Sequence, residues 1–317
     1  MDSIMSWQLS VVIVFFTLVM LAFSFLAFVP EECRKRKRGY TARQLINGYW
    51  PYVLLAAVVY GLMQAQFPLQ RELNLFVNYD CTPYIEYLEG DLVACFQNHV
   101  YPALTYLMTF VYLVLFSSVM IFTFLILAYT GNMTALKRFS LVFILNYLIA
   151  FPFYLLFPVR VTGYTLPDVQ PLMYELHPTI YAGITTVDPL DNCFPSLHAA
   201  LVFSALLVVY TTDLERYKIF LTFAFPTIVF ATLYLGVHWV TDIAAGMILS
   251  VFTFCIANHY GEQIMDYANA AAVRIEKVIG IEETVTCTTC MCQIVVAPHL
   301  RCVNCPQCGA QVEHDVM

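Results

Sequence analysis

Seven apolar runs alternate with polar segments along the 317-residue chain, at residues 8–29, 46–66, 103–129, 139–159, 196–211, 218–236 and 241–258. A helix crossing a bilayer's hydrocarbon core needs about 20 apolar residues, so each run predicts a transmembrane helix. Two of the longer connecting segments carry features of their own. Residues 67–102 hold Cys81 and Cys95 among Glu86, Glu89 and Asp91, while residues 160–195 are rich in Pro, Asp and Tyr and predict a lid or substrate entrance. After the last run, Ile264, Tyr267, Ala271, Ile275 and Ile279 recur at near-helical spacing, which predicts an amphipathic helix over 259–283.

Composition agrees with a bilayer as solvent: 60% of residues are hydrophobic, 12% are charged, and mean hydropathy is +0.72. The first run has no Lys or Arg before it and a basic cluster rather than a cleavage site after it, so it reads as a retained span and not a secretory signal. Cytoplasmic loops concentrate Lys and Arg. Residues 34–38, Arg43, Lys137, Arg138, Arg216, Lys218, Arg274, Lys277 and Arg301 fall on one side and only Arg71 and Arg160 on the other, 13 against two. The expectation is a multi-pass protein of the cell membrane with its N-terminus outside and its C-terminus in the cytoplasm. The cluster at 34–38 serves as a topology anchor or as an anionic-lipid site. Outside the cell, Cys81 and Cys95 either pair in a disulfide or stay free, since Cys193 makes the outer count odd. The net charge of −7 is spread over outer loops and tail and gives no reason to expect a nucleic-acid partner.

Two outer segments carry chemistry. In Pro195-Ser196-Leu197-His198 a loop enters an apolar helix, so backbone N–H groups, the Ser196 hydroxyl and the helix dipole are placed to hold a phosphate. In Tyr234-Leu235-Gly236-Val237-His238-Trp239-Val240-Thr241-Asp242 the last histidine and aspartate are four residues apart. On a helix that spacing lets the carboxylate hold one ring nitrogen while the other faces substrate. Two histidines and an acid permit a displacement in which His238 attacks phosphorus, His198 protonates the leaving oxygen and a phosphohistidine forms; no metal is required. An ionisable group at membrane depth is costly and tends to be functional, which favours this reading over interfacial histidines that merely snorkel.

These two segments resemble the signature motifs of the type 2 phosphatidic acid phosphatase and haloperoxidase superfamily, Pro-Ser-Gly-His followed by His-x-x-x-Asp. The resemblance covers about residues 46–258 and implies a six-helix core with an outward-facing site, His198 as general acid and His238 as nucleophile. Departures from the pattern refine it. In Phe157-Pro158-Val159-Arg160 the arginine stands at the family's Arg place as a candidate phosphate clamp, but Val161 follows it and Phe153 occupies the Lys place; Thr232 occupies the place of the second Arg. Two of three phosphate-binding cations are therefore absent, which suits a singly charged phosphodiester better than a phosphomonoester. Together with Leu197, this is similar to the inositol phosphorylceramide synthase and sphingomyelin synthase branch. The resemblance implies a membrane lipid substrate and an alcohol acceptor, with a lipid phosphate phosphatase as the alternative. Asn146 and Tyr154 face the site or tie helices together.

The tail holds Cys287-Thr288-Thr289-Cys290 and Cys305-Pro306-Gln307-Cys308, two C-x-x-C knuckles 14 residues apart, with Cys292 and Cys302 spare. Cys287, Cys290, Cys305 and Cys308 predict a tetrahedral structural zinc whose binding folds a segment too short for its own core. An iron site of rubredoxin type uses similar knuckles. The expected organisation is an all-α polytopic membrane protein: an N-terminal span and basic loop (1–45), a six-helix core (46–258), an amphipathic linker (259–283) and a cytoplasmic zinc ribbon (284–317) able to dock a protein partner. A membrane adaptor recruiting through the ribbon is the reading from another class. A transporter fits less well, for want of an internal repeat.

Overall fold

The computed structural model describes residues 2–35, 57–59, 61–62, 64–66, 68–70, 72, 79–187, 189–279, 283–296 and 302–313. Helices dominate: α1 (Asp2–Phe28), α2 (Thr82–Glu89), α3 (Pro102–Tyr129), α4 (Met133–Leu156), α5 (Pro178–Val187), α6 (Leu197–Tyr210), α7 (Glu215–Tyr234) and α8 (Val240–Ile279). Among the described residues, five of these carry segments long and apolar enough to span a membrane: Ser10–Phe28, Pro102–Tyr129, Met133–Leu156, Glu215–Tyr234 and Val240–Ile264. α6 is apolar throughout but has only 14 residues. That is about 21 Å of helix against a hydrocarbon core of about 30 Å, so the expected span 196–211 forms a helix too short to cross it alone. The expected span 46–66 falls largely outside the described residues, although those described between 57 and 66 are helical.

The chain divides into two compact units, residues 1–34 with 61–258, and residues 35–60 with 259–317. In the first, Val11, Phe15, Leu18, Phe23 and Leu26 of α1 are exposed, as side chains facing lipid should be. The other face of α1 packs on α3 and α5, with Phe16 against Phe110 and Phe25 against Tyr129. α6 packs between α4 and α7. A buried hydrogen-bonded chain fixes α4, α6 and α8 to one another: Asn146 Nδ2 donates to Ser204 Oγ, Ser204 meets Ser250, and Thr253 Oγ1 donates to Asn146 Oδ1, each at 2.8 Å. Asn146 is thus a helix tie. Each of these polar groups finds its partner inside the protein, as membrane burial demands.

The second unit contains the far half of α8 and the tail. The last span and the amphipathic segment form one uninterrupted helix of 40 residues rather than two elements. Beyond it lie two antiparallel hairpins, β1 (Glu283–Thr286) with β2 (Gln293–Val296) and β3 (Cys302–Asn304) with β4 (Gln311–Glu313). Cys287, Ile294, Val296, Cys305 and Val312 make up their small buried core.

Candidate active site

Three segments of the first unit converge. The chain leaving α4 runs beside the loop entering α6, where Val159 N–H donates to Asp191 O, Val161 N–H to Leu190 O and Cys193 N–H to Val159 O. Tyr154 OH donates to Pro195 O at 2.8 Å, so Tyr154 braces the motif from α4. The third segment is the turn between α7 and α8. Gly236 adopts φ of +72° there, and a Cβ would lie 2.6 Å from Gln170 O, a place only glycine fills without strain.

This turn sets His238 at the mouth of α8 and Asp242 three residues into it. Asp242 Oδ2 accepts the Trp239 backbone N–H at 3.0 Å and lies 3.4 Å from His238 Nδ1. The carboxylate thus closes the helix N-terminus in the manner of a capping box and holds one side of the imidazole. On the other side, His238 Nε2 is 3.4 Å from His198 Nδ1. His198 stands in the first turn of α6, and its ring stacks on Tyr112 with centroids 4.5 Å apart, beside Phe116 at 4.6 Å. Tyr112 belongs to a π-helical turn, Val111–Leu115, within α3. Such turns are concentrated at functional sites.

The other expected ligands sit differently. Ser196 is fully buried, its Oγ accepting the Ala199 N–H as the N-cap of α6 and its own N–H donating to Asp242 O. In this conformation its oxygen is a helix cap rather than an open phosphate ligand. Arg160 pairs with Asp80 at 3.5 Å, and its side chain is 63% exposed. Its backbone is what ties it to the site, since the carbonyl accepts Trp239 Nε1–H at 2.8 Å. Phe153 packs edge-on against Phe194, and buried Thr232 donates to Val229 O, so both places lacking the expected cation are filled by uncharged packing. Cys81 and Cys95 are both free, and Cys81 is buried.

Sequence reasoning missed Glu89. Its two carboxylate oxygens accept the N–H groups of Val240 and Thr241 at 2.9 and 2.7 Å, so the end of α2 caps α8 beside the histidines. Carboxylates at helix N-termini satisfy orphan donors and the dipole. No local signal marks a partner 151 residues away.

In the tail, Cys287, Cys290, Cys305 and Cys308 bring their sulfurs within 4.8 Å of one another. The knuckles are conformational copies. Met291 N–H donates to Cys287 O and Gly309 N–H to Cys305 O, and Met291 and Gly309 both have positive φ, 58° and 72°. Cys292 occupies the place that Ala310 has in the second knuckle, each carbonyl accepting the N–H of its leading cysteine. The backbone N–H groups of Cys290 and Thr289 lower the Cys287 thiol; at Cys305, burial works against ionisation, but the N–H groups of Cys308 and Gln307 prevail and bring the thiol down to about 6. Donors aimed at sulfur in this way stabilise thiolates, and the four residues fit a tetrahedral soft cation.

Residues 137–266 match the family model of the PAP2 superfamily. That stretch contains Arg160, Ser196, His198, His238 and Asp242. No curated protein matches the chain. Among solved structures, the crystal structure of Aquifex aeolicus LpxE is similar at 23% identity and a TM-score of 0.44, covering 55% of this chain and 96% of that one. Beside this match stand five apolar helices long enough to cross a membrane among the described residues, the composition of a multi-pass membrane protein.

Proposed function

We propose that the protein cleaves lipid phosphate esters through a phosphohistidine on His238 and passes the phosphoryl group, with its headgroup, to an alcohol. The observation that carries this is the line Asp242–His238–His198, in which a buried carboxylate holds Nδ1 and leaves Nε2 facing a second histidine. Asp242 keeps the proton on Nδ1 and stabilises the imidazolium formed as Nε2 attacks phosphorus; protonated His198 delivers a proton to the departing oxygen. In-line attack followed by a hydrogen bond to the leaving group needs the two nitrogens roughly 6–7 Å apart. Substrate entry therefore spreads a pair now 3.4 Å apart. Arg160 is the cation that reaches the phosphate, exchanging Asp80 for it.

The uncharged packing of Phe153 and Thr232 supports transfer of a singly charged diester over hydrolysis of a doubly charged monoester. Hydrolysis through the same phosphohistidine is the second reading, supported by the PAP2 match. By the distribution of basic residues the site faces outward. The cysteine cluster holds a structural zinc in a cytoplasmic ribbon that docks a protein partner. The test offers purified wild-type and His238→Ala protein short-chain lipid phosphates and phosphodiesters with an alcohol acceptor. Free phosphate and new headgroup lipid are then measured separately. New lipid without free phosphate selects transfer, free phosphate alone selects hydrolysis, and equal signals from both proteins refute the enzyme.

A further inference from the structure

One group beside the catalytic pair has no part in phosphate transfer. Cys193 is 2% exposed, and its Sγ, a ring nitrogen of His238 and a carboxylate oxygen of Asp242 all lie within 4.8 Å of one another. Both flanking segments hold the cysteine: its N–H donates to Val159 O at 3.1 Å and its thiol to Val237 O at 3.2 Å. A second observation points to a ligand here. Asp242 is fully buried, and while Oδ2 takes the Trp239 and His238 contacts, Oδ1 has no hydrogen-bond partner. A buried carboxylate oxygen left unpaired is costly, and a cation relieves it.

The donor set names the cation. Sulfur, imidazole nitrogen and carboxylate oxygen are zinc ligands, and three protein ligands with an open fourth position is the arrangement of exchangeable zinc sites. Zinc bond lengths place tetrahedral ligand atoms about 3.5 Å apart. The three donor atoms, all within 4.8 Å of one another, stand close to that spacing. The thiol has to close by roughly 1 Å to complete it. Hard cations that prefer all-oxygen shells, such as magnesium, have no comparable site in this donor set.

We propose that Cys193, His238 and Asp242 form an inhibitory site for a thiophilic divalent cation, distinct from the four-cysteine cluster of the tail. The cysteine thiol gives up its proton to solvent and the cation takes the thiolate, one imidazole lone pair and the carboxylate. At Nε2 the cation occupies the attacking position; at Nδ1 it displaces the proton that Asp242 holds. Either way His238 is withdrawn from phosphorus. The inhibition rests on His238 acting as nucleophile, whereas the binding does not.

The test uses the full-length protein in detergent, with the tail filled with zinc and excess removed, then titrated with zinc while bound metal and phosphoester turnover are both followed. Wild type is expected to take up one zinc more than Cys193→Ser, which needs at least tenfold more zinc for half-inhibition and keeps its zinc-free turnover within twofold. Magnesium leaves turnover unchanged. Cys305→Ser, with the tail site disabled, retains the inhibition, and X-ray absorption on its bound zinc shows one sulfur among nitrogen and oxygen ligands, a readout that stands even if Cys193→Ser does not fold. Equal zinc content and equal inhibition in wild type and Cys193→Ser overturn the proposal, as does a sulfur-free shell in Cys305→Ser. Extra zinc bound without loss of turnover overturns the inhibition. An extra equivalent in a protein with no turnover on any phosphoester refutes the proposed function and leaves the metal site standing.

Discussion

Replacing Gly246 by alanine tests whether the two halves of the site are held by direct backbone contact. Gly246 lies on α8 against the loop that opens α6: an added Cβ collides with the Ser196 carbonyl oxygen, and meets Ser196 C at 3.2 Å and Ala199 Cβ at 3.3 Å. In an unobstructed helix the substitution would gain about 1 kcal/mol of helix propensity. Overpacking against backbone costs about 1–3 kcal/mol. The obstruction here is carbonyl backbone and not a flexible side chain, so the upper part of that range applies and the net loss is about 1–2 kcal/mol. The loss of activity should be larger. α6 carries His198 and α8 carries Asp242, and parting them by about 1 Å costs on the order of 100-fold in rate. Turnover of a short-chain lipid phosphoester in detergent, measured beside thermal unfolding, reads both effects. Gly61→Ala, where no described residue lies within 4 Å of the new methyl, serves as control and keeps wild-type turnover. A Gly246→Ala protein as active as wild type, or more stable with unchanged rate, would refute the claimed contact.

Other perturbations separate the roles of the surrounding groups. Asp242→Asn keeps the volume but removes the anion that holds His238 Nδ1, so turnover should fall by about 10³–10⁴-fold with little change in substrate affinity; a loss below tenfold contradicts the orienting role. Glu89→Ala uncovers the N–H groups of Val240 and Thr241 and should lower stability by about 1–2 kcal/mol, Glu89→Gln by less, in thermal unfolding; identical curves would show the cap to be inert. Tyr112→Leu removes the ring stacked on His198, worth about 0.5–1.5 kcal/mol, and should reduce turnover up to about tenfold while leaving the fold intact by circular dichroism. Cys305→Ser should abolish zinc in the tail by metal analysis and expose the 283–313 segment to protease while phosphoester turnover persists.

The parts of this architecture that follow local rules were legible in the sequence. Apolar length marked the five long helices among the described residues, the i, i+4 pair marked His238 and Asp242, and two C-x-x-C pairs marked the cluster in the tail. At His259 the pattern changes from apolar to one-sided. That reports a change of surroundings and not a break in the backbone, which is why α8 runs on to Ile279 as a single helix. What escaped sequence reasoning depends on partners distant in the chain. Glu89 reaches α8 across 151 residues, and Tyr112 comes to His198 from a π-helical turn with no composition signal. A serine before a helix can satisfy either a phosphate or its own first turn, and Ser196 here satisfies the turn. The guanidinium of Arg160 turns to Asp80, an acid the motif does not contain.

The central claim is a covalent phosphate on His238. Purified protein mixed with a radiolabelled lipid phosphoester and quenched within one turnover should carry an acid-labile, alkali-stable label on the peptide that contains His238. His198→Ala should slow the label's formation and its discharge, while Asp242→Asn should reduce its amount. His238→Ala should show none. A label on any other residue, or full turnover by His238→Ala without a label, would contradict the account.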